Sequence, residues 1–356
     1  MRARSAALLL SSLTAWIVGC PPADNTGDDD GHDDVHAEEA HWHQVLSGLP
    51  GALLSASGWS ASDILAVGAD PQDGSGPMVL RYDGASWRRL DTGATGDLWW
   101  ITDRQLGDSF FIAGERGLVL EYRPDTDAFT GRDAPTDATL FGIWGSSATN
   151  VIAVGGDPED PDTSGEIWRY DGANWTAEDL AGINPDGVPV LWKAWGRGAN
   201  EVYVVGERGT ILRYDGAAWT QLASPTTRTI FTVHGNSERV VACGGRTSGV
   251  IVELRNGAFE DVTPAGALQM NGTYVPSMGD AVTVGLEGAV AFGDASTWAV
   301  DETSPTLDLN VSYHAAWGDP AGGIWAVGGN IFVDPADAGV IAYYGTTDPA
   351  TTLTGG

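Results

Sequence analysis

One six-residue phrase, Tyr-Asp-Gly-Ala-x-Trp, occurs three times in this chain and constrains its fold more than any other feature. The copies span residues 82–87, 170–175 and 214–219, and each follows a run in which apolar and polar residues alternate. Such alternation is typical of a half-buried β-strand, and Asp-Gly favours a tight hairpin turn because glycine adopts positive φ without steric cost. The phrase predicts a strand, a turn and a second strand whose Trp ring fills the gap between neighbouring sheets.

A glycine that ends an apolar run recurs at intervals of 46, 41, 51, 38, 41 and 43 residues. These seven anchor glycines are Gly68, Gly114, Gly155, Gly206, Gly244, Gly285 and Gly328. A period of about 40–45 residues with four short strands per unit is typical of propeller blades. The sequence therefore predicts an all-β fold, a seven-bladed β-propeller over residues 41–346, followed by a polar C-terminal tail at 347–356.

The last repeat lacks a convincing fourth strand, and a matching segment stands at the other end of the domain. Residues 41–46, which read His-Trp-His-Gln-Val-Leu, match the segment 218–222, which reads Ala-Trp-Thr-Gln-Leu. We expect this N-terminal strand to pair into blade seven and close the ring, because an open ring would leave edge strands unpaired at both ends.

Charge and composition exclude some functions. The chain has 356 residues, 49 of them glycine, and a formal net charge of −30, with Lys193 as its one lysine. Such a negative field repels nucleic acid and anionic lipid headgroups, so neither is expected as a direct partner. We expect a monomer.

The N-terminus has the pattern of an export signal. Arg2 and Arg4 precede an apolar run at 6–18, which is too short for a usual membrane-spanning helix and leads to Cys20. The segment Ile-Val-Gly-Cys resembles the lipobox of bacterial lipoproteins. That resemblance implies a signal peptide at 1–19, a diacylglycerol on Cys20 and anchoring in the cell envelope, and Pro21 favours the outer membrane. Cys243 would then have no disulfide partner and is expected to be a small buried hydrophobe.

Residues 20–40 form an acidic segment that lacks any apolar period. This segment and the strand after it carry four of the six histidines, His32, His36, His41 and His43. One interpretation is a tract that binds metal ions; the other is a solvated spacer extended by charge repulsion. Placing His41 and His43 in the ring-closing strand favours the spacer.

The repeat also resembles a known group of propellers. Val-Gly-x-x-Gly-x-Ile-x-x-x-Asp-Gly-x-x-Trp, at residues 205–219, is similar to the BNR/Asp-box repeat. The Trp-Gly phrases at Trp144, Trp195 and Trp317 are similar to those of bacterial repeat lipoproteins. The resemblance implies a fold like that of sialidases and photosystem II assembly-factor-like proteins. Here Asp and Gly adjoin, whereas the Asp-box separates them by one residue, and the fold hosts many unrelated activities.

The loops between the second and third strand of each blade are expected to share the ligand face. Tight turns or short loops place basic residues there, and long insertions in blades one and seven place acidic ones; the candidates are Arg116, Arg208, Arg246, Asp70, Asp73, Asp334 and Asp337. The insertion of blade three offers carboxylates at the spacing that calcium prefers, namely Asp157, Asp160 and Asp162. The alternative is that these acidic loops only keep the surface soluble.

The expected function is binding, as a scaffold module for a protein partner or a surface glycan. One alternative is a glycan hydrolase or lyase of sialidase-like type, which requires arginines that converge on the ligand face. Arg81, Arg169 and Arg213 stand at equivalent strand positions and are not expected to converge, and no catalytic residue is assigned. A second alternative, implied by the resemblance, is an envelope assembly factor.

Overall fold

A computed structural model describes residues 39–304 and 311–354, and these form seven sheets, each with four antiparallel strands, around a central channel. The first strands in chain order are β1 (His41–Leu49), β2 (Leu53–Ser60), β3 (Asp63–Gly68), β4 (Val79–Tyr82), β5 (Trp87–Arg89), β6 (Leu98–Ile101), β7 (Phe110–Gly114), β8 (Val119–Arg123), β9 (Ala128–Gly131), β10 (Thr139–Ser147), β11 (Asn150–Gly156), β12 (Glu166–Tyr170) and β13 (Trp175–Ala177). The predicted signal peptide, Cys20, His32 and His36 lie outside the described residues.

The second half of the ring repeats the same arrangement. Its strands are β14 (Leu191–Gly198), β15 (Glu201–Gly206), β16 (Ile211–Tyr214), β17 (Trp219–Gln221), β18 (Ile230–Gly235), β19 (Val240–Gly244), β20 (Val250–Arg255), β21 (Ala258–Asp261), β22 (Met270–Tyr274), β23 (Ala281–Gly285), β24 (Val290–Gly293), β25 (Trp298–Val300), β26 (Ser312–Gly318), β27 (Ile324–Asn330), β28 (Asp337–Gly345) and β29 (Leu353–Thr354). One short 3-10 helix, Glu207–Gly209, lies between β15 and β16, and no helix of the described residues is long and apolar enough to span a membrane.

The predicted seven-bladed propeller is confirmed, and so is its closure. Blade one contains β2 to β5, blades two to six contain the next five groups of four strands, and blade seven has the order β1-β28-β27-β26. The N-terminal β1 therefore supplies the outer strand of the last blade, with Trp42 opposite Tyr344 in an antiparallel register. The C-terminal β29 adds a parallel fifth strand to blade one beside Trp87.

The anchor glycines are explained by a close backbone approach. Each one lies in the second strand of its blade, opposite the point where the first strand begins. A Cβ atom on Gly155 would lie 1.9 Å from the carbonyl oxygen of Thr139, and the other six anchor glycines would meet equivalent carbonyl oxygens at 1.9–2.4 Å. Any larger residue would force the two inner strands apart, so the seven-fold glycine period is a packing requirement.

Neighbouring blades are held together by tryptophans of the outer strands. Trp87 is fully buried and its ring centroid lies 5.9 Å from that of Trp325 in blade seven. Four other outer-strand tryptophans donate their indole N–H to the preceding blade: Trp175 to the Arg132 carbonyl, Trp219 to Glu178, Trp298 to Glu253 and Trp42 to Asp301. The predicted role of these rings between sheets is confirmed.

Two strand arginines, Arg81 and Arg169, each link their own blade to the next one. Arg81 of blade one pairs with Asp63 at 3.0 Å and Asp127 of blade two at 2.6 Å. Arg169 pairs with Glu178 at 2.5 Å, and its guanidinium lies 4.7 Å from the ring centroid of Tyr214 in blade four. These strand arginines therefore have structural partners and do not point into the channel.

Candidate functional site

A cavity of about 310 Å³ opens at the mouth of the channel on the predicted ligand face. Part of its wall comes from one position in the first strand of the blades. This position directly follows the apolar residue that lies opposite the anchor glycine. In ring order this position holds Leu54, Trp99, Phe141, Trp192, Phe231, Asn271 and His314. We call the space bounded by the four consecutive aromatic residues and their polar neighbours the aromatic cavity.

The four aromatic rings form a continuous wall. The Phe141 ring lies edge-on to Trp99, with ring centroids 4.9 Å apart, and lies 4.3 Å from Trp192. Trp192 in turn packs edge-on against Phe231 at 5.6 Å. Edge-to-face and tilted contacts at these distances are favourable for aromatic pairs, so the wall is preorganised and has a defined shape.

Phe332 lies beside this wall and is exposed. It stands in the loop between β27 and β28, next to Ile331, and 56% of its surface is accessible to solvent. A large aromatic side chain in that position can close over an occupant of the cavity, and its removal leaves the propeller core intact.

Lys193 is a buried polar group beside the cavity. Its Nζ donates a hydrogen bond of 2.9 Å to the carbonyl oxygen of Phe141 and lies 3.1 Å from the ring centroid of Trp100. Burial holds the pKa of Lys193 well below its usual range because it penalises the charged amine. The amine is therefore a hydrogen-bond donor with one protein acceptor among the described residues, and it can serve a polar atom of a ligand.

The polar side of the cavity is also ordered. Asn271 donates a hydrogen bond of 3.0 Å to the carbonyl oxygen of Tyr313 and accepts one of 2.9 Å from Gln269. His314 donates its Nδ1 hydrogen to the carbonyl of Leu54 at 2.6 Å, which leaves Nε2 as an acceptor. Burial, followed by the charge of Lys193, lowers the pKa of His314 to about 4, so the ring is neutral at physiological pH.

Glu207 connects the wall residue Trp192 to Thr229 and to a loop arginine. One of its carboxylate oxygens accepts from Trp192 Nε1 at 3.2 Å and from Arg246 at 2.6 Å, and the other accepts from Thr229 at 2.6 Å. The guanidinium of Arg246 lies 5.8 Å from the ring centroid of Phe231. Of the predicted ligand-face residues, Arg246 is the one that lines the aromatic cavity.

The other predicted basic residues pair locally on the rim. Arg116 contacts Glu115 at 3.3 Å, and Arg208 forms an ion pair with Asp162. Both arginines occupy equivalent tight turns with positive φ, 51° and 57°. Each is therefore paired with a carboxylate on the rim, and among the described arginines Arg246 alone lines the aromatic cavity.

Two predicted acidic residues, Asp70 and Asp334, belong to a cluster beside the cavity. Asp70 accepts from the backbone of Gly96, and its own backbone N–H donates to Asp97 at 2.8 Å. Gln72 donates to Asp334 at 3.1 Å. Burial raises the pKa of Asp97 to about 6, and the charges of Glu115, Asp70 and Asp334 add to that shift. Asp97 precedes Trp99 by two residues, so this negative rim adjoins the aromatic wall.

Asp73 and Asp337 stand apart from that cluster. Asp73 accepts from the backbone of Ser75, whereas Asp337 begins β28 opposite Asn330. The three predicted calcium ligands make separate contacts: Asp157 accepts from the backbone of Glu159, Asp160 from Thr163, and Asp162 from Arg208. Calcium binding by these three carboxylates stays a prediction. Within 39–304 and 311–354, the one group of side chains at metal-ligand spacing is His41, His43 and Asp348.

The opposite mouth of the channel also has an opening, of about 570 Å³. There the ring of His234 packs 5.7 Å from Trp195 and 4.8 Å from Tyr274. His234 Nδ1 accepts from the backbone of Val275 at 3.0 Å, and burial lowers its pKa to about 3. These contacts give His234 a packing role, and we place the candidate site at the aromatic cavity.

Comparisons with known proteins define the fold without naming a family. No protein-family model matches the chain, and no curated protein matches it in sequence. Among solved structures, the WD40 β-propeller domain of Doa1 is similar with a TM-score of 0.64 and 9% identity, over 87% of this chain and 98% of that one. YCF48 from Cyanidioschyzon merolae has a TM-score of 0.63 and 14% identity, over 86% and 99%.

A third similar structure is part of a larger bacterial protein. The extracellular domain of the putative hybrid two component system BT4673 from B. thetaiotaomicron has a TM-score of 0.61 and 14% identity. The match covers 85% of this chain and 39% of that one. The neighbours are β-propellers, and at these identities the likeness establishes the fold alone.

Proposed function

We propose that this protein is a binding module that takes an extended segment of a protein partner across the ligand face. The observation that supports it best is the aromatic cavity, in which Trp99, Phe141, Trp192 and Phe231 wall a space of about 310 Å³. Ligand sites are typically cavities of about 300–1,000 Å³ with apolar walls and a few placed polar groups. A bulky side chain of the partner would enter the cavity, and Phe332 would cover it.

The chemistry of the surroundings favours a particular segment. Lys193 can donate a hydrogen bond to a polar tip such as a tyrosine hydroxyl, which combines an apolar ring with an oxygen atom. The negative rim at Asp70, Asp97, Glu115 and Asp334 favours lysine or arginine beside that anchor. The proposed ligand is therefore a peptide segment with an aromatic anchor flanked by basic residues.

The structural neighbours give this proposal additional support. YCF48 was also solved bound to a D1 peptide, and that structure has a TM-score of 0.62 and 13% identity to this chain, over 89% of this chain and 100% of that one. A propeller of the same shape can thus hold a peptide. Assisting the assembly of a larger complex in the cell envelope is the more specific form of our proposal.

A peptide-display screen against the full chain tests this function. We expect enriched peptides with an aromatic anchor and basic flanks, and we expect Trp192→Ala to weaken them by about 30-fold or more, which is the scale of a hot-spot residue. Phe332→Ala should weaken them too, without lowering the melting temperature. Met278→Ala is the matched control, because Met278 is an exposed apolar residue in the β22–β23 turn at the opposite mouth.

A glycan array is probed in parallel with this screen, because aromatic walls also bind the faces of sugar rings. Glycan binding that is lost in Trp192→Ala, with no peptide enriched, would overturn the protein partner in favour of a surface glycan. The hydrolase or lyase alternative gains no support from the described residues, since Arg246 is the one arginine that lines the cavity. No selective binding of either class would contradict the binding function.

We also propose that Cys20 carries a lipid that anchors the protein in the bacterial cell envelope, on the outer membrane. The support is the lipobox-like segment before Cys20, together with the extracellular setting of the BT4673 domain. Labelling with a clickable fatty acid should mark the wild-type chain in the membrane fraction. Cys20→Ser should lose the label and appear in the soluble fraction; a labelled or membrane-bound Cys20→Ser chain would contradict the anchor.

A further inference from the structure

We infer that His41, His43 and Asp348 form a binding site for a divalent transition-metal ion of the zinc class, at the seam where the propeller closes. His41 and His43 are two residues apart on β1, so both imidazoles project from one face of the strand, with ring centroids 4.1 Å apart. Asp348 comes from the segment after β28. One ligand atom from each of the three residues lies within 4.8 Å of the other two.

The backbone contacts of the two histidines leave the other ring nitrogen of each available as a metal ligand. A backbone carbonyl can only accept, so the contacts of His41 Nδ1 with Glu39 O at 3.1 Å and of His43 Nε2 with Gly345 O at 3.3 Å are hydrogen bonds in the tautomers that carry hydrogen on those nitrogens. Neutral rings then carry lone pairs on His41 Nε2 and His43 Nδ1. Metal-binding histidines typically donate their second N–H to a carbonyl in this way, which fixes the tautomer and the orientation of the ring.

The contact between His43 and Asp348 needs a hydrogen atom or a metal ion between its two acceptor atoms. His43 Nδ1 meets the carboxylate oxygen Oδ1 of Asp348 directly. With Nε2 as the donor to Gly345, Nδ1 of a neutral ring and the carboxylate are both acceptors and would repel each other. A metal ion ligated by both atoms removes that conflict; a hydrogen on Nδ1, in either the neutral or the charged ring, is the other solution. Asp348 is largely exposed and His43 half-buried, so an ion can enter from solvent.

The three ligand atoms, two imidazole nitrogens and one carboxylate oxygen, favour one class of metal ion. Imidazole nitrogen with one carboxylate oxygen suits Zn²⁺ and its neighbours, whereas Ca²⁺ and Mg²⁺ prefer oxygen ligands. Three protein ligands leave a fourth tetrahedral position for water or a further ligand. Because β1 precedes blade one and Asp348 follows blade seven, a bound ion would connect the two ends of the ring and stabilise its closure.

Metal titration of the full chain tests the site, in a background with His32→Ala and His36→Ala that removes the upstream histidines. We expect Zn²⁺ to raise the melting temperature and Ca²⁺ to leave it unchanged, and Co²⁺ to give the intense visible absorption of a four-coordinate ion. His41→Ala, His43→Ala and Asp348→Ala should each weaken Zn²⁺ binding by more than about 100-fold, since loss of a supporting contact alone costs about 10–100-fold.

Asp108→Ala is the matched control, because Asp108 is an exposed carboxylate in the turn between β6 and β7. Its Zn²⁺ affinity should equal that of the background chain. The three ligand positions are exposed or half-buried on the outer strand, and Asp348→Asn gives a substitution that preserves shape if an alanine variant fails to fold. Absence of Zn²⁺ binding, or equal affinity in Asp348→Asn and Asp108→Ala, would overturn the site and leave an imidazolium–carboxylate ion pair between His43 and Asp348.

Discussion

Removal of residues 41–49 should abolish cooperative folding of the propeller. This deletion takes away the outer strand of blade seven and the buried side chains Trp42, Val45, Leu46 and Leu49. Truncation of a buried Leu costs about 2–5 kcal/mol and that of a buried Trp about 3–5 kcal/mol, while a whole domain is stable by about 5–15 kcal/mol. The lost burial alone is comparable to the total stability, and β28 would also become an unpaired edge strand.

Point variants on the same strand separate side-chain packing from strand pairing. Trp42 is 9% exposed, and its indole N–H donates a hydrogen bond of 3.0 Å to Asp301 of blade six. Trp42→Ala should therefore lower the free energy of unfolding by about 3–5 kcal/mol. Gln44 is exposed on the same strand, and Gln44→Ala should stay within about 0.5 kcal/mol of wild type. Urea unfolding followed by Trp fluorescence and circular dichroism measures both.

A synthetic peptide of residues 39–50 gives the deletion an internal control. If the deleted strand is the missing part, the peptide added in trans should restore a cooperative transition, and a peptide with Trp42→Ala should restore it less well. A deletion variant that unfolds at the wild-type urea concentration would contradict the closure argument. The ring would then be held by the contacts between blades alone.

Features that every blade shares could be predicted from the sequence. The anchor glycines meet one backbone demand in all seven blades, the Asp-Gly turns recur in three blades and the outer-strand tryptophans in five, so each leaves a repeated pattern in the chain. Asp215 shows the local logic: its carboxylate accepts from the backbone N–H groups of Ala217 and Ala218, both at 2.9 Å, and Gly216 has a φ of 97°. Closure by β1 was predictable for the same reason, since one unit was incomplete.

The aromatic cavity could not be predicted in that way, because the residue type at the wall position differs from blade to blade. The inner-strand residue that faces the mouth is Trp99, Phe141, Trp192 and Phe231 in four consecutive blades but Leu54, Asn271 and His314 in the others. Alignment of the seven first strands on the anchor glycines would have shown this run of aromatic residues. The sequence also gave no sign that Arg208 and Asp162 neutralise each other, because that contact joins the loops of two blades.

The proposed metal site at His41, His43 and Asp348 could not be predicted from sequence patterns either. His41 and His43 in a strand were expected to weigh against metal binding, yet the strand places both imidazoles on one face. The third residue, Asp348, lies about 300 residues further along the chain, and only the closed ring brings it to them. A site at the junction of the two chain ends has no sequence spacing that could reveal it.

Substitution of one anchor glycine by alanine should be far more costly than substitution of a strand glycine that has open space around it. In Gly155→Ala, the new Cβ would lie 1.9 Å from Thr139 O and 2.9 Å from the Cα atom of Leu140, both backbone atoms that no rotamer change can move. Forcing strands apart in a packed core costs about 1–3 kcal/mol and occasionally more, and contact this close places the variant at or above the upper end. We expect a loss of about 3 kcal/mol.

Gly131→Ala is the matched control, because Gly131 also lies in a strand but has no atom within 4 Å of its would-be Cβ. Its φ is not positive, so alanine should be neutral or stabilise by about 0.4–1 kcal/mol through the unfolded chain. Gly114→Ala, with its closest approach at 2.4 Å, should fall between the two. Equal unfolding midpoints for the Gly155 and Gly131 variants would mean that the inner strands separate at little cost. The seven-fold glycine period would then need a cause other than the contact of the first and second strands.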